Sequence, residues 1–159
     1  MVGIMITGIT VRHAEPADYD RIAPVVDEWW GRPVHTLLPR LFLDHFHRTS
    51  FVAEREDALA GFLVGFLSPS NEDAAYIHFV GVGPDFRGTG LARGLYERFF
   101  TLAREGGRTG VRAITSPRNE GSIAFHRSMG FSVSEPVGAY DGADGDRVVF
   151  SRDLTAAAG

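Results

Sequence analysis

The sequence contains neither cysteine nor lysine, so all sixteen of its basic residues are arginine. Without cysteine there can be no disulfide, no thiolate metal site and no intermediate carried on a protein thiol. Any group transfer is therefore expected to be direct. Without lysine the chain cannot form the Gly-Lys-Ser/Thr phosphate loop of nucleoside triphosphatases, nor a Schiff base on lysine.

Long apolar segments are also absent. No window approaches the roughly eighteen uninterrupted apolar residues that cross a bilayer, and the start, MVGIMITGIT, lacks the basic region and apolar core of a secretion signal. We therefore expect a cytoplasmic protein with no membrane partner. The net charge of −4 and the pI near 5.8 argue against a nucleic-acid partner, because binding phosphates takes a clustered positive surface.

The composition is that of a folded domain. Of the 159 residues, 44% are hydrophobic and 23% are charged, which is ordinary for a globular protein. The length is near the usual size of one domain, and no repeat or low-complexity linker divides it. The sequence therefore predicts a single domain over residues 1–159.

Hydrophobic periodicity predicts an α+β order of elements with a mixed sheet. The predicted strands are Thr7–Arg12, Ser50–Glu54, Leu59–Leu67, Ala74–Val82, Val111–Thr115, Phe131–Val137 and Arg147–Leu154. The predicted helices run from Pro16 to Gly31, from Val34 to Arg48 with a kink or a break at Pro39, from Gly88 to Glu105, and from Glu120 to Met129. Short connections between strands predict antiparallel neighbours.

A glycine-rich turn joins the fourth predicted strand to the third helix, where residues 80–92 read VGVGPDFRGTGLA. The first amides of a helix have no intrahelical partner and lie at the positive end of its dipole, and glycines let an anion approach the backbone. The pattern thus predicts a phosphate-binding turn. Taken alone, it is equally consistent with a tight connection that needs positive φ.

The turn resembles the cofactor signature of the GNAT superfamily of N-acetyltransferases, Arg/Gln-x-x-Gly-x-Gly/Ala, at Arg87, Gly90 and Ala92. Residues 119–131, NEGSIAFHRSMGF, are similar to the superfamily's later motif of an Asn, a helix and Gly-Phe. The resemblance covers nearly the whole chain in element order. It implies a GNAT-like α+β (α/β/α layered) fold, with a mixed, mostly antiparallel central sheet of roughly six or seven strands flanked by about four helices.

The resemblance also implies acetyl-CoA as cosubstrate. The residues that it assigns to the CoA pyrophosphate are Arg87, Gly88, Thr89, Gly90, Leu91 and Ala92. The residues that it assigns to the pantetheine arm and thioester are Val80, Gly81 and Val82, with Gly81 permitting a local bulge. Those that it places against the cofactor are Asn119, Ser122, Phe125 and His126. Asn119 is also explained as a helix cap.

Amide formation from an alkylamine, whose pKa is near ~10, needs a base or a water relay that removes a proton. Tyr76, His78, Val80 and Val82 share one face of a strand by alternation. The first two resemble superfamily positions that relay the amine proton, which makes His78 the candidate base and Tyr76 its companion. A strand histidine satisfied by sheet packing explains the pattern equally well.

The leaving thiolate also needs a proton. Many members of the superfamily place a tyrosine one residue after the aromatic of the second motif, and this chain has His126 there instead. An imidazolium, with an ordinary pKa of ~6.5, could donate a proton to the thiolate, so His126 is the candidate acid. The alternatives are that His126 only hydrogen-bonds within the cleft and that solvent protonates the thiolate.

No metal site is predicted. His45 and His47 are about 200° apart around a helix and cannot share an ion, and residues 141–146 lack the spacing of an EF-hand loop. Aromatic faces at Trp29 and Trp30, together with that acidic turn, motivate a small amine as acceptor, although paired tryptophans in a helix are more often core.

The sequence therefore predicts an N-acetyltransferase that moves an acetyl group directly from acetyl-CoA to a primary amine of a small molecule. A non-catalytic sensor of CoA or acyl-CoA, or an interaction module, is the alternative, because an intact cofactor turn supports both. A dinucleotide-dependent oxidoreductase would need an initial βαβ unit and a ribose-binding acid, which the sequence lacks. A homodimer is compatible with the sequence but is not required by it.

Overall fold

The computed structural model describes residues 8–155. Its strands are β1 (Ile9–His13), β2 (Phe51–Arg55), β3 (Ala58–Leu67), β4 (Ala74–Val82), β5 (Gly110–Thr115), β6 (Ser132–Val133) and β7 (Val148–Asp153). Its α-helices are α1 (Tyr19–Trp30), α2 (Leu41–Phe46), α3 (Leu91–Glu105) and α4 (Glu120–Ser128), and short 3₁₀ turns cover Pro16–Asp18, His35–Leu37, His47–Thr49 and Pro84–Phe86. None of the helices within residues 8–155 has the length and apolar character needed to span a membrane.

The seven strands described form one sheet in the order β1-β2-β3-β4-β5-β7-β6. The pairs β1–β2, β2–β3, β5–β7 and β6–β7 are antiparallel, and β4 pairs with β5 in parallel through residues 74–76. This confirms the predicted α+β fold with a mixed, mostly antiparallel sheet of seven strands and four α-helices.

The chain divides into two compact units. Among the described residues, the first contains 8–66 and 78–102, and the second contains 67–77 and 103–155. β3 and β4 therefore contribute residues to both units. A single domain over residues 1–159 stays a prediction.

Most elements lie within a few residues of their predicted bounds, and β4 has the bounds predicted for it. Thr7, the first residue of the predicted first strand, lies outside the described residues. Pro39 breaks the second helical segment as predicted, and only Leu41–Phe46 forms an α-helix. The predicted strand Phe131–Val137 is shorter than expected, because β6 covers two residues and only an isolated bridge joins Val137 to Arg147.

The core of the first unit forms where the apolar stripe of α1 and the segment after it pack on the sheet. Its buried residues include Ile22, Val26, Val34, Leu38, Leu43, Val52, Phe62, Val64 and Phe79. Trp29 and Trp30 pack against this cluster, and the ring centroids of Trp30 and Phe79 are 4.6 Å apart. The two tryptophans therefore pack as part of the core, which the sequence analysis gave as the alternative to a place in the acceptor pocket.

The second unit also buries hydrophobic residues, in β5, in β7 and just after α4. Its buried residues include Val111, Ala113, Met129, Phe131, Val148 and Phe150. The start of β5 is fixed by the carbonyl of Asp73, which accepts hydrogen bonds from the amides of Thr109 at 2.9 Å and Gly110 at 3.0 Å. The carbonyl of Asp73 thus sets the residue at which β5 begins.

An ion-pair network joins β1, the turn before α1, and β2. Arg12 donates to both carboxylate oxygens of Asp18, at 2.8 and 2.9 Å, and to Glu54 at 2.8 Å, while Arg21 donates to Glu54 at 2.5 Å. Burial raises the pKa of Asp18, but hydrogen bonds from Arg12 and from the Glu15 amide outweigh it, so this pKa lies below its ordinary value. Hydrogen bonding by Arg12 likewise lowers the pKa of Glu54.

Because these two carboxyl groups have lowered pKa values in the folded state, their stabilisation is present above the ordinary carboxyl pKa of about 4 and is lost as pH falls through the folded values. Replacing Asp18 with Asn should therefore lower the free energy of unfolding at pH 7 by about 1–3 kcal/mol and reduce its loss on acidification. Urea denaturation between pH 7 and pH 3 measures both effects.

The matched control is Asp20→Asn, which removes the exposed pair between Asp20 and Arg40. It should change stability by less than about 1 kcal/mol, because exposed ion pairs contribute little. Equal pH dependence in the wild type and Asp18→Asn would contradict the assignment of acid sensitivity to this network.

Candidate functional site

The glycine-rich turn follows the end of β4 in the first unit. The amide of Gly83 donates to the carbonyl of Ala60 at 2.8 Å, which fixes the start of the turn against β3. The guanidinium of Arg87 folds back and donates to the carbonyl of Trp29 at 2.7 Å. The Arg87 side chain therefore ties the turn to the end of α1.

Two glycines give the turn its shape. Gly88 has φ 76° and Gly90 has φ 83°, and a Cβ at either position would meet no atom within 4 Å. This left-handed backbone delays the helix, so α3 begins at Leu91 and the predicted start at Gly88 is wrong. The Gly90 carbonyl accepts from the Gly94 amide at 3.0 Å, so Gly90 is the residue before the first helical turn.

This geometry can accept an anion. The first amides of α3, including those of Leu91 and Ala92, have no intrahelical acceptor and lie at the positive end of a fifteen-residue helix. The open space above Gly88 and Gly90 would let a phosphate group approach the backbone. The turn therefore fits the pyrophosphate of a CoA-type ligand.

Gly81 lies in a tightly packed part of β4. A Cβ there would be 2.5 Å from the ring of Phe62 and 3.1 Å from that of Trp30, and a Cβ at Gly61 would be 2.9 Å from the Gly81 carbonyl oxygen. The close approach of Phe62 requires glycine here, and the bulge that the resemblance implied at Gly81 stays a prediction. On either side, Val80 and Val82 are half-buried.

His78 lies on the half-buried face of β4, since buried and half-buried residues alternate along that strand as predicted. Its ring stacks on that of Phe42 with 4.0 Å between centroids, and its Nε2 lies 2.6 Å from the carbonyl oxygen of Leu37. A carbonyl only accepts, so Nε2 carries the hydrogen and Nδ1 has the lone pair in the neutral ring. Burial lowers the pKa of His78, although the Leu37 bond opposes this.

The contact with Leu37 could not be read from the sequence, because any residue type supplies a backbone carbonyl. The stacking of Phe42 on His78 depends on how the chain runs after the break at Pro39, which the sequence does not give. Leu37 and Phe42, which contact the His78 ring, thus both come from the segment 35–46 around the break at Pro39. The sequence predicts the structure of this segment less well than that of its neighbours.

Tyr76 occupies the same face of β4 in the second unit. Burial raises the pKa of Tyr76 to about 12, and the nearby Tyr140 and Asp141 act in the same direction. Tyr76 therefore keeps its proton at neutral pH. It can donate a hydrogen bond but is a poor base.

The second motif forms α4 and the residue before it. The side chain of Asn119 accepts from the amide of Ser122 at 3.1 Å and donates to Thr115 at 3.2 Å, which confirms the helix-cap explanation for Asn119. Phe125 is half-buried one turn further on. The cap fixes the start of α4 relative to the end of β5.

His126 is a buried residue of the second unit, with 6% of its surface exposed. Its Nδ1 lies 2.8 Å from the carbonyl of Ser122, and its ring stacks on Phe150 with 3.9 Å between centroids. Burial lowers the pKa of His126, which favours the neutral ring at pH 7. These contacts are those of a packed histidine and do not favour a proton donor.

The acidic turn between β6 and β7 uses its carboxylates to hold its own shape. Asp146 accepts from the amide of Ala139 at 2.8 Å, and Asp141 pairs with Arg147 at 3.0 Å. Asp144 has φ 61° in the same turn. Across residues 8–155, no group of three or more His, Asp or Glu side chains could hold a metal ion.

Two comparisons, one with a family model and one with curated proteins, relate this chain to acetyltransferases. Residues 17–131 match the family model described as acetyltransferase (GNAT) family. The L-2,4-diaminobutyric acid acetyltransferase of Nocardia farcinica is 32% identical over 89 residues, which cover 56% of this chain and 46% of that protein. The chain thus spans about half the length of this relative.

Solved structures share the fold. Ard1 from Thermoplasma volcanium superposes with a TM-score of 0.78 at 21% identity, covering 92% of this chain and 98% of that one. The diaminobutyrate acetyltransferase of Paenibacillus lautus, in complex with L-2,4-diaminobutyric acid and coenzyme A, gives 0.74 at 22% identity, covering 92% and 95%. At these identities the likeness establishes the fold alone.

The packing at Gly81 generates a stability prediction. Gly81→Ala should lower the free energy of unfolding by about 1–3 kcal/mol, because the new methyl group must displace the fully buried ring of Phe62. Gly121→Ala is the matched control, since a Cβ at this helical position meets nothing within 4 Å. It should be neutral or stabilising by up to about 1 kcal/mol. Equal melting temperatures for the two variants would contradict the close approach.

Proposed function

The chain belongs to the acetyltransferase (GNAT) family, and from this we propose that it is an N-acetyltransferase that moves an acetyl group directly from acetyl-CoA to a primary amine of a small molecule. The observation that carries the proposal is the left-handed turn at Gly88 and Gly90, which opens the first amides of α3 to an anion. His78 lies on β4, the strand that leads into this turn.

The backbone of Arg87–Ala92 would hold the CoA pyrophosphate, and the end of β4 at Val80–Val82 would contact the pantetheine arm. The placing of Asn119, Ser122 and Phe125 against the cofactor stays a prediction of the resemblance. Bound acetyl-CoA supplies an activated thioester, whose acetyl carbon becomes bonded to the amine nitrogen as its bond to sulfur breaks. The residues of the chain bind and orient the two substrates and move the protons.

His78 is the proposed base. Its Nε2 is occupied by the Leu37 carbonyl, so Nδ1 is the nitrogen that can accept a proton from the amine, directly or through water. Its lowered pKa keeps the ring neutral, and hence able to accept, at pH 7. Stacking on Phe42 fixes the plane of the ring.

Tyr76 is proposed as a hydrogen-bond donor, because its raised pKa keeps the phenol protonated. For His126 we propose a supporting role, in which the neutral ring packs on Phe150 and braces α4. The thiolate then takes its proton from solvent. A His126→Phe variant that kept its turnover across pH would agree with the supporting role.

The acceptor class is proposed from the relatives. Proteins from Nocardia farcinica and Vibrio parahaemolyticus that resemble this chain are named L-2,4-diaminobutyric acid acetyltransferases. A diamino acid is therefore the first acceptor to test, within the wider class of small primary amines. A homodimer remains a prediction.

Binding of acetyl-CoA tests the turn directly. Gly90→Ala should weaken binding by about tenfold or more, corresponding to about 1.4 kcal/mol, because the strained residue shifts the amides at the start of α3. Gly107→Ala is the matched control: Gly107 also has positive φ, 75°, and an equally open Cβ position, but lies after the end of α3. Calorimetric titration that finds the same loss in both variants would exclude the turn as the binding site.

The role of His78 is tested by kinetics. His78→Ala should lower kcat with diaminobutyrate by about 10²–10⁴-fold, the usual contribution of a positioned base. In the wild type, kcat should fall only as pH drops through a midpoint below the ordinary histidine pKa of ~6.5, since burial lowers this pKa. His45→Ala, which removes an exposed histidine of α2, is the control. Unchanged kcat in His78→Ala at saturating acceptor would remove the base assignment.

A further inference from the structure

A single carboxylate organises the chain between α1 and α2. The Oδ1 atom of Asp27 accepts hydrogen bonds from the amide of Val34 at 2.6 Å and from the amide of His35 at 2.8 Å. Its Oδ2 atom lies 2.7 Å from Nδ1 of the His35 ring. Three contacts thus converge on one side chain, near the end of α1.

These bonds favour the ionised form of Asp27. The hydrogen bond from the Val34 amide has the largest effect, and those from His35 add to it, so that the pKa of Asp27 lies below its ordinary value. A charged acceptor forms stronger hydrogen bonds to amides than a neutral one. The start of the turn His35–Leu37 is therefore fixed to α1 electrostatically as well as by packing.

The turn that Asp27 holds ends at the carbonyl that contacts His78. Within it, the amide of Leu37 donates to the carbonyl of Val34 at 2.9 Å, and the amide of Leu38 donates to that of His35 at 3.1 Å. Val34 and Leu38 are both buried in the core of the first unit. The position of the Leu37 carbonyl, placed between these two anchors, follows from the turn.

The Leu37 carbonyl in turn selects the tautomer of His78. A carbonyl oxygen 2.6 Å from Nε2 requires the hydrogen on that nitrogen, and it leaves Nδ1 as the acceptor. If the carbonyl moved away, both tautomers of the neutral ring would be populated. In the second tautomer Nδ1 carries the hydrogen and cannot accept a proton.

We propose that Asp27 is a positioning residue for His78, acting through the turn His35–Leu37 and the Leu37 carbonyl to keep Nδ1 of His78 ready to accept a proton. Asp27 itself does not act on the reacting atoms. The catalytic consequence rests on the proposed function, whereas the effect on the His78 tautomer does not require the protein to turn over any substrate.

The direct test is nitrogen NMR of histidine-labelled full-length protein. Wild-type His78 should give one pyridine-like resonance, from Nδ1, and one pyrrole-like resonance, from Nε2. In Asp27→Ala the two resonances should move towards each other, because the tautomers average. Glu28→Ala, which removes the adjacent exposed carboxylate of α1, should leave both where they are.

The conservative variant separates positioning from simple loss of stability. In Asp27→Asn the side-chain oxygen can still accept from both amides, so the wild-type His78 resonances should be largely restored. Melting temperatures identify any variant that fails to fold. Wild-type resonances in folded Asp27→Ala would overturn the proposal, because a merely structural Asp27 lowers stability without moving the His78 tautomer.

Kinetics supply the second readout. Asp27→Ala should lower kcat on the order of tenfold, a part of the about 10²–10⁴-fold that a positioned base contributes, with little change in the KM for acetyl-CoA. Asp27→Asn should recover most of that loss. A loss confined to KM would overturn the link between Asp27 and the base. If His78→Ala is fully active while the resonances still move, the proposed function of His78 has failed and the control of its tautomer by Asp27 has not.

Discussion

The ring of Phe62 lies so close to the backbone of Gly81 that no side chain fits between them. Phe62 is fully buried. A Cβ at the neighbouring Gly61 would also come too close to the Gly81 carbonyl oxygen. This contact holds the end of β4 against β3, and the glycine-rich turn starts two residues later. The position of the turn at the end of β4 therefore depends on this contact.

The two histidines of interest differ in which nitrogen the protein occupies. His78 uses Nε2 on the Leu37 carbonyl and is half-buried, whereas His126 uses Nδ1 on the Ser122 carbonyl and is stacked in an aromatic core. Burial lowers both pKa values, so both rings are neutral at pH 7. A neutral ring suits a base better than an acid. The difference in exposure then favours His78 for proton transfer and His126 for packing.

The sequence predicts the fold well where its signals are local. β4 has its predicted bounds, Pro39 breaks the second helix, and the glycines of the turn occur where the backbone is left-handed. It predicts less well the hydrogen bonds between a backbone group and a side chain that are well separated in the sequence. Leu37 reaches His78 through its carbonyl, and Asp27 holds amides seven and eight residues away, so neither contact leaves a residue-type pattern.

We propose that the turn before α3 binds acetyl-CoA for direct transfer of its acetyl group to an amine. The most direct test of this proposal is mass spectrometry of the products formed by the purified protein from acetyl-CoA and a panel of small amines that includes L-2,4-diaminobutyric acid, with release of CoA thiol followed in the same samples. We expect an acetylated amine in amounts equal to the thiol released. Tight binding of acetyl-CoA with no acetylated product from any amine would contradict it and favour a sensor of CoA.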